Sequence, residues 1–243
     1  AGLPALHALV VVNDPRTGVP LAVLDGGPIT AARTAAVSGV AIARWAPATR
    51  GRAPRAAIVG AGVQGRAHVP VLGHLLPGVD LAIHDRDAAR AASLAAEAAR
   101  TAGIGAARAA GTARDAVSGA DVVVTCVSFG PVRQVMTGDW FAPDALVVAV
   151  DYATSVAAGV AAEAALFLVD EERQFRANRE AGFFDGYPDP AGILGAAIRA
   201  GTPRPAGGRV VVTHLGVGLA DLVFAEAILA AAAERGLGVL LPR

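Results

Sequence analysis

Residues 56–86 read AAIVGAGVQGRAHVPVLGHLLPGVDLAIHDR. Ala57-Ile58-Val59 is a short apolar run suited to a buried parallel strand, and it leads straight into Gly60-Ala61-Gly62-Val63-Gln64-Gly65, a G-x-G-x-x-G turn. Val69, Val71, Leu72, Leu75 and Leu76 then fall in a helical pattern that Pro77-Gly78 stops. A second strand, Val79 to His84, ends at Asp85, 20 residues after Gly65. Glycines also mark ordinary turns; here strand, turn, helix, strand and acid fall in the register of a β-α-β dinucleotide fingerprint. The first glycine permits the tight turn, the second lets a pyrophosphate approach the backbone, and the third lets helix pack on strand. Ala61, Val63 and Gln64 complete the loop, and the N–H groups that open the helix face the phosphates. Asp85 can accept hydrogen bonds from the ribose hydroxyls of NAD and would repel a 2′-phosphate, whereas Arg86 could pair with one; the acid favours NAD over NADP.

The 243 residues can hold one large domain or one and a half, and with 54% hydrophobic residues, 17% charged residues and a mean hydropathy of +0.50 they can bury an ample core. Formal net charge is zero and no basic run interleaves with aromatics, so nucleic acid is not an expected partner. No apolar run reaches the ~18 residues of a membrane span, and the N-terminus lacks the basic start of a signal peptide. One cysteine, Cys126, excludes an internal disulfide framework, and five scattered histidines give no zinc spacing. A soluble, cytoplasmic, metal-free protein is the expectation. All 21 basic residues are arginine, so no side chain here can form a Schiff base or act as an ammonium acid.

Ahead of this unit, Leu6–Val12 and Val19–Leu24 flank the turn-rich Asn13–Gly18 and predict a β-hairpin. Asp25-Gly26-Gly27-Pro28 breaks the second strand, and Thr30 is the expected N-cap of a helix from Ala31 to about Trp45. Ala46–Arg55 reads as a linker. Beyond Asp85, helices are expected over Ala88–Ala102, Thr112–Ser118, Glu171–Ala181, Gly192–Ala200 and Leu219–Glu234, with strands over Ala106–Ala110, Asp121–Val127, Ala145–Val150, Leu166–Val169 and Arg209–Thr213. The last helix has so little polar face that it should be buried, in a subunit or domain interface. Alternating strands and helices predict an α/β fold, a doubly wound parallel (Rossmann) sheet of order 3-2-1-4-5-6, with a partial second domain. Ligands bind beyond the carboxyl ends of such strands, which selects Gly60–Gly65, Asp85, Thr125–Ser128 and Asp151.

Four stretches, correctly ordered and spaced over nearly the whole chain, resemble the ornithine cyclodeaminase and mu-crystallin family. Thr30-Ala31-Ala32-Arg33-Thr34-Ala35-Ala36 is similar to its L-T-x-x-R-T-A-A segment, and Gly60-Ala61-Gly62-Val63-Gln64 to its G-x-G-x-Q turn. Val148-Ala149-Val150-Asp151 resembles its strand ending in a functional aspartate, and Leu215–Asp221 its C-terminal L-G-x-A-x-x-D. The resemblance implies NAD(P)-dependent chemistry on small amino or imino acids, a Rossmann domain and a dimerisation domain. The domains are then 1–50 (hairpin and helix of the dimerisation domain), 51–215 (dinucleotide binding) and 216–243 (the helix returning to the dimerisation domain), in a homodimer. The family pattern also has a segment before the hairpin, with a carboxylate-binding arginine and a catalytic lysine, so a shortened member is expected. Ala153-Thr154-Ser155 stands where P-G-K is frequent, and His214 where a small polar residue precedes the L-G.

Arg33 lies in the first turn of its expected helix, a poor place for a cation against the helix dipole; it has a specific anion partner or a surface salt bridge. The resemblance makes it the clamp on a substrate α-carboxylate. Asp151, at a strand tip, is either a loop acid or, as the resemblance implies, the group that holds the substrate amine or moves its proton. Thr125, Val127, Ser128 and Val150 are expected along the cofactor, and His214 is either a neighbour of nicotinamide or substrate or simply a hydrogen-bonded core residue. Cys126 reads as a small core residue, and His68, His74 and His84 as structural. The expected activity is that of an amino-acid dehydrogenase or ketimine reductase. The alternatives are a cyclodeaminase that regenerates NAD within its cycle, or a dinucleotide-binding protein without turnover.

Overall fold

The computed structural model describes residues 7–128, 130 and 133–240. Leu6 of the expected hairpin, and Phe129 and Pro131 of the turn after Ser128, lie outside the described residues. The chain divides into two compact units, 1–34 with 216–243, and 35–215; the division falls inside the helix Gly26–Trp45 (α1).

The larger unit is built on an all-parallel eight-stranded sheet. Its strands are β3 (Arg55–Val59), β4 (Val79–His84), β5 (Ile104–Ala109), β6 (Val122–Thr125), β7 (Leu146–Ala149), β8 (Leu166–Val169), β9 (Gly192–Ile193) and β10 (Val210–Thr213). Val122–Val124, Leu146–Ala149 and Val210–Val212 are buried throughout, because helices cover both faces. On one face Trp45 and Ile42 of α1 pack with α2 (Val63–Leu75), α3 (Ala88–Ala98) and α7 (Leu194–Arg199) over Ile58, Leu81 and Val148. On the other, α4 (Ala113–Val117), α5 (Ala158–Ala162) and α6 (Glu172–Glu180) pack with Phe167, Phe175 and Phe184 over Val123, Val147 and Val211. The doubly wound α/β architecture is the expected one.

The strand order is β5-β4-β3-β6-β7-β10-β8-β9. Its first five positions follow the expected 3-2-1-4-5, but the next position is taken by the last strand of the chain. Val210–Thr213 pairs with Leu146–Ala149 on one side and Leu166–Val169 on the other. A strand of three fully buried valines needs a neighbour on each side. The half-exposed Leu166 and the two-residue β9 suit positions nearer the edge.

The helix start also differs from expectation. Asp25 Oδ1 accepts the Gly27 N–H at 2.9 Å, so Asp25 caps α1 and Thr30 lies inside the helix. The second strand ends at Asp25 as expected, and Pro28 falls in the first turn of α1, where there is no intrahelical N–H bond to lose. The short β9, α5 and the 3₁₀ turn Gly138–Trp140 carried no distinct sequence signal.

In the smaller unit β1 (Leu9–Asn13) pairs antiparallel with β2 (Pro20–Asp25), and Asp14 Oδ1 shapes the turn by accepting the N–H groups of Arg16 and Thr17. The inward face, Val10, Val12, Ala22 and Leu24, packs on Ile29 and on Phe224 and Ala225 of α8 (Gly218–Glu234). The opposite face, Leu9, Val11, Leu21 and Val23, is equally apolar yet 52–74% exposed. Within this chain α8 is not the buried helix its composition predicts. Ala225 is its buried residue, whereas Leu219, Leu222, Val223 and Ile228 are exposed, because the hairpin covers one side only. Among the described residues no helix is long and apolar enough to cross a membrane.

Candidate functional site

The turn between β3 and α2 is shaped by what its glycines lack. Gly60 has φ +111°, and a Cβ there would stand 2.5 Å from the Cys126 carbonyl oxygen. At Gly65 a Cβ would overlap the Gly60 carbonyl oxygen, so this residue sets how closely α2 approaches β3. Gly62 differs: a Cβ there would meet nothing within 4 Å. It is the N-cap of α2, without a side-chain cap and with no acid in the first turn, so an anion can approach the opening N–H groups. Asp85 braces the turn, its Oδ2 accepting the Ala61 N–H at 2.7 Å and its Oδ1 the Asp87 N–H at 2.9 Å. Asp85 is half-buried; Arg86, Val63 and Gly62 are exposed, and Gln64 is half-buried. An open helix N-terminus beside a carboxylate fits a dinucleotide.

Asp151 follows β7 and is fully buried. Its Oδ1 accepts Thr125 Oγ1–H at 2.9 Å; its Oδ2 accepts Ser155 Oγ–H at 2.7 Å and the Val127 N–H at 3.3 Å. Burial pushes its pKa up to about 6, against the pull of these hydrogen bonds. The carboxyl group can therefore hold or release a proton near neutrality, as a general acid–base requires. Ser155, part of the departure from P-G-K, is a partner that sequence reasoning missed, and nothing short of the turn geometry could have marked it. Val127 and Val150 are half-buried and Ser128 exposed at the same edge. Cys126 bonds the Gly60 carbonyl at 3.3 Å, and burial pushes its thiol up, which fits a core residue and not a nucleophile.

His214, just beyond β10, belongs to a buried chain. Its Nε2 lies 2.8 Å from Ser38 Oγ, Ser38 Oγ lies 2.7 Å from His68 Nε2, and His68 Nδ1 lies 2.7 Å from the Gln64 carbonyl. A carbonyl only accepts, which orients the rest. His68 Nδ1–H donates to Gln64, the Ser38 hydroxyl donates to His68 Nε2, and His214 Nε2–H donates to Ser38. Burial holds His68 neutral, its pKa pushed down to about 4. Neither Ser38 nor the coupling of the two histidines was visible in the sequence. Beside it both Asp170 oxygens accept the Leu215 N–H at 3.1 Å, fixing the exit from β10.

The carboxyl ends of β3, β4, β6, β7 and β10 thus gather Gly60–Gly65, Asp85, Thr125, Val127, Val150, Asp151 and His214 in one unit. Arg33 belongs to the other unit. There it makes an ion pair, Nε donating to Asp221 Oδ1 at 3.0 Å, and Nη2 donates to Thr30 Oγ1 at 3.0 Å. Among the described residues no group of three or more His, Cys, Asp or Glu side chains could hold a metal ion. Residues 1–176 match the sequence profile of the ornithine cyclodeaminase/mu-crystallin family. The chain belongs to this family. Among its relatives, nodulation efficiency protein NfeD of Rhizobium meliloti is 30% identical over 99% of this chain and 74% of that protein. Ketimine reductase mu-crystallin of Mus musculus is 32% identical over 61% of this chain and 44% of that protein. Among solved structures, Thermococcus litoralis Δ1-pyrroline-2-carboxylate reductase, in complex with NADH and L-proline, superposes with a TM-score of 0.84. It is 25% identical, over 99% of this chain and 76% of that one.

Proposed function

We propose that this member of the family is an NAD(H)-dependent oxidoreductase of the C–N bond in a small amino or imino acid. The observation that carries the reading is Asp151, buried yet poised near pH 6 at the edge where the glycine turn and Asp85 receive a dinucleotide. When bound, the nicotinamide supplies the hydride chemistry. The chain supplies the rest: the α2 N-terminus binds the pyrophosphate, Asp85 the ribose, Arg33 the α-carboxylate, and Asp151 the proton at the reacting nitrogen. The family membership and relatives named for ketimine and pyrroline-carboxylate reduction support it. The outward apolar faces of the hairpin and α8 support a homodimer, to be read by sedimentation; a well-folded monomer would contradict it.

Two substitutions separate binding from chemistry. Asp85→Ala is expected to weaken NAD by ~1–3 kcal/mol, because charge-assisted bonds to the ribose are lost along with the brace on Ala61. Asp151→Asn should leave NAD affinity nearly unchanged and remove amino-acid-dependent hydride transfer, since an amide keeps the shape but cannot take up the proton. Calorimetric titration with NAD, beside an absorbance assay on a panel of amino and imino acids, checks both. If Asp151→Asn loses NAD as badly as Asp85→Ala, Asp151 belongs to the cofactor pocket. Ammonia release without net change in NADH would instead mark a cyclodeaminase, and a strong preference for NADPH would sink the role given to Asp85.

A further inference from the structure

The residue after Asp151 has a backbone conformation that its side chain disfavours. Tyr152 has φ +56°, in the left-handed region that bulky residues rarely enter. It is the second residue of a tight turn, closed by the Thr154 N–H donating to the Asp151 carbonyl at 3.1 Å. A positive φ at that place is ordinarily given to glycine, asparagine or aspartate. Ring contacts hold tyrosine there instead. Its ring centroid lies 5.9 Å from that of Phe183 and 5.6 Å from that of Phe184. Phe184 is fully buried and packs in turn on Phe175 at 4.8 Å and on Tyr187 at 5.3 Å. The far end of the same stretch is tied to the same segment, since Tyr187 Oη–H donates to the Val156 carbonyl at 2.8 Å. Between these two anchors stands Ser155, whose hydroxyl meets Asp151 Oδ2.

We infer that Tyr152 is a positioning residue: its ring, docked on Phe183 and Phe184, holds the turn that keeps the Asp151 carboxyl buried against Thr125 and Ser155. The inference rests on the reading of Asp151 as the group that moves the substrate proton. Asp151 and Ser155 are four residues apart, and their side chains meet only while the chain between them stays folded back on itself. With a disfavoured φ at its second residue, that turn needs a hold from outside its own backbone. The aromatic segment 183–187 supplies it, and every group involved belongs to the unit 35–215. Burial is what raises the pKa of Asp151, so a loosened turn admits water to the carboxyl and returns it towards 3.8. Cys126 and Tyr187 interact with Asp151, and burial pushes both of them up, so neither becomes charged as Asp151 titrates.

Glycine at this position separates the ring from the backbone, because it accepts the positive φ freely and offers nothing to dock. The test follows the Asp151 carboxyl carbon by NMR from about pH 3 to about pH 8, assigned with Asp151→Asn, and titrates each variant with NADH. The parent and Tyr152→Phe should titrate near 6. Tyr152→Gly should fall to about 5 or lower while binding NADH as the parent does. If Tyr152→Gly does not fold, Phe183→Ala, at a residue 45% exposed, is read in its place and should move Asp151 in the same direction. A parent Asp151 that titrates as an ordinary carboxylate, near about 4, ends the reading of that group as a proton carrier and the inference with it. A parent near 6 with no fall in Tyr152→Gly, or in Phe183→Ala where that is the variant read, overturns the inference alone. So does a fall in Tyr152→Phe equal to that in Tyr152→Gly, since the hydroxyl and not the ring would then be the hold. Loss of NADH binding by a folded Tyr152→Gly also overturns it, because Tyr152 would then belong to the cofactor pocket.

Discussion

Gly65→Ala is expected to destabilise the sheet-bearing unit by about 3 kcal/mol or more and to abolish nucleotide binding. The new Cβ would overlap the Gly60 carbonyl oxygen and come within 3.2 Å of Ile58 Cγ2. Neither atom can give way cheaply. The Gly60 N–H is tied to the His84 carbonyl at 2.8 Å, and on its other side Gly60 already lies against the Cys126 backbone. Helix α2 would have to lift from β3, spoiling the contacts of Val69 and Leu72 with the core. Gly62→Ala is the control, because its Cβ points into open space. It should leave stability unchanged and yet lose NADH affinity, since the space it fills is the one assigned to the pyrophosphate. Urea unfolding beside NADH titration reads both; a Gly65→Ala protein as stable as the parent would refute the packing argument.

The second large effect concerns pH. His68 has its pKa lowered from 6.5 to about 4 by burial, so between these values the unfolded chain binds a proton that the folded chain refuses. Stability from this group is full above pH 6.5 and falls as pH drops towards 4, by ~3 kcal/mol in all at about 1.4 kcal/mol per unit. Asp151 works in the opposite sense. Its pKa is raised from 3.8 to about 6, so the folded chain keeps a proton that the unfolded chain releases, and stability falls as pH rises through that window, also by ~3 kcal/mol. Between about pH 4 and 6 the two slopes offset each other. Asp151→Asn should unmask the histidine, its stability rising with pH by about 1.4 kcal/mol per unit across that window. His68→Gln should unmask the carboxylate and fall over the same range. Urea midpoints at pH 4, 5, 6 and 7 would show it; an Asp151→Asn profile parallel to the parent would mean that Asp151 titrates normally.

What the sequence disclosed was local. The fingerprint from Ala56 to Asp85 is a single β-α-β unit, and every part of it is signalled within a few residues by glycine, apolar period or a terminal acid. Strand slots are not local. Val122–Thr125 and Val210–Thr213 are the same tetrapeptide, VVVT, yet one sits between β3 and β7 and the other between β7 and β8. Nothing in four residues can distinguish those positions. Thr30 was the expected cap, and only the Gly27 amide bond moves the cap to Asp25. Asp151 was singled out because it follows a strand at the carboxyl edge of the sheet, which is where the structure has it. Its hydroxyl partners were not, since Thr125 lies 26 residues away and Ser155 requires a turn. Ser38, His68 and His214 meet across separations of 30 and 176 residues, which no motif encodes.

That buried chain has a further property, set by how it ends. Protons travel along hydrogen bonds only when each member can pass one onward, and the last member here is the Gln64 carbonyl, which cannot. The imidazole–hydroxyl–imidazole line is therefore a dead end for charge, an insulator threaded beside the nucleotide turn. Asp151 makes its own hydrogen bonds with Thr125 and Ser155, so the proton assigned to it at the reacting nitrogen is not drawn from that line.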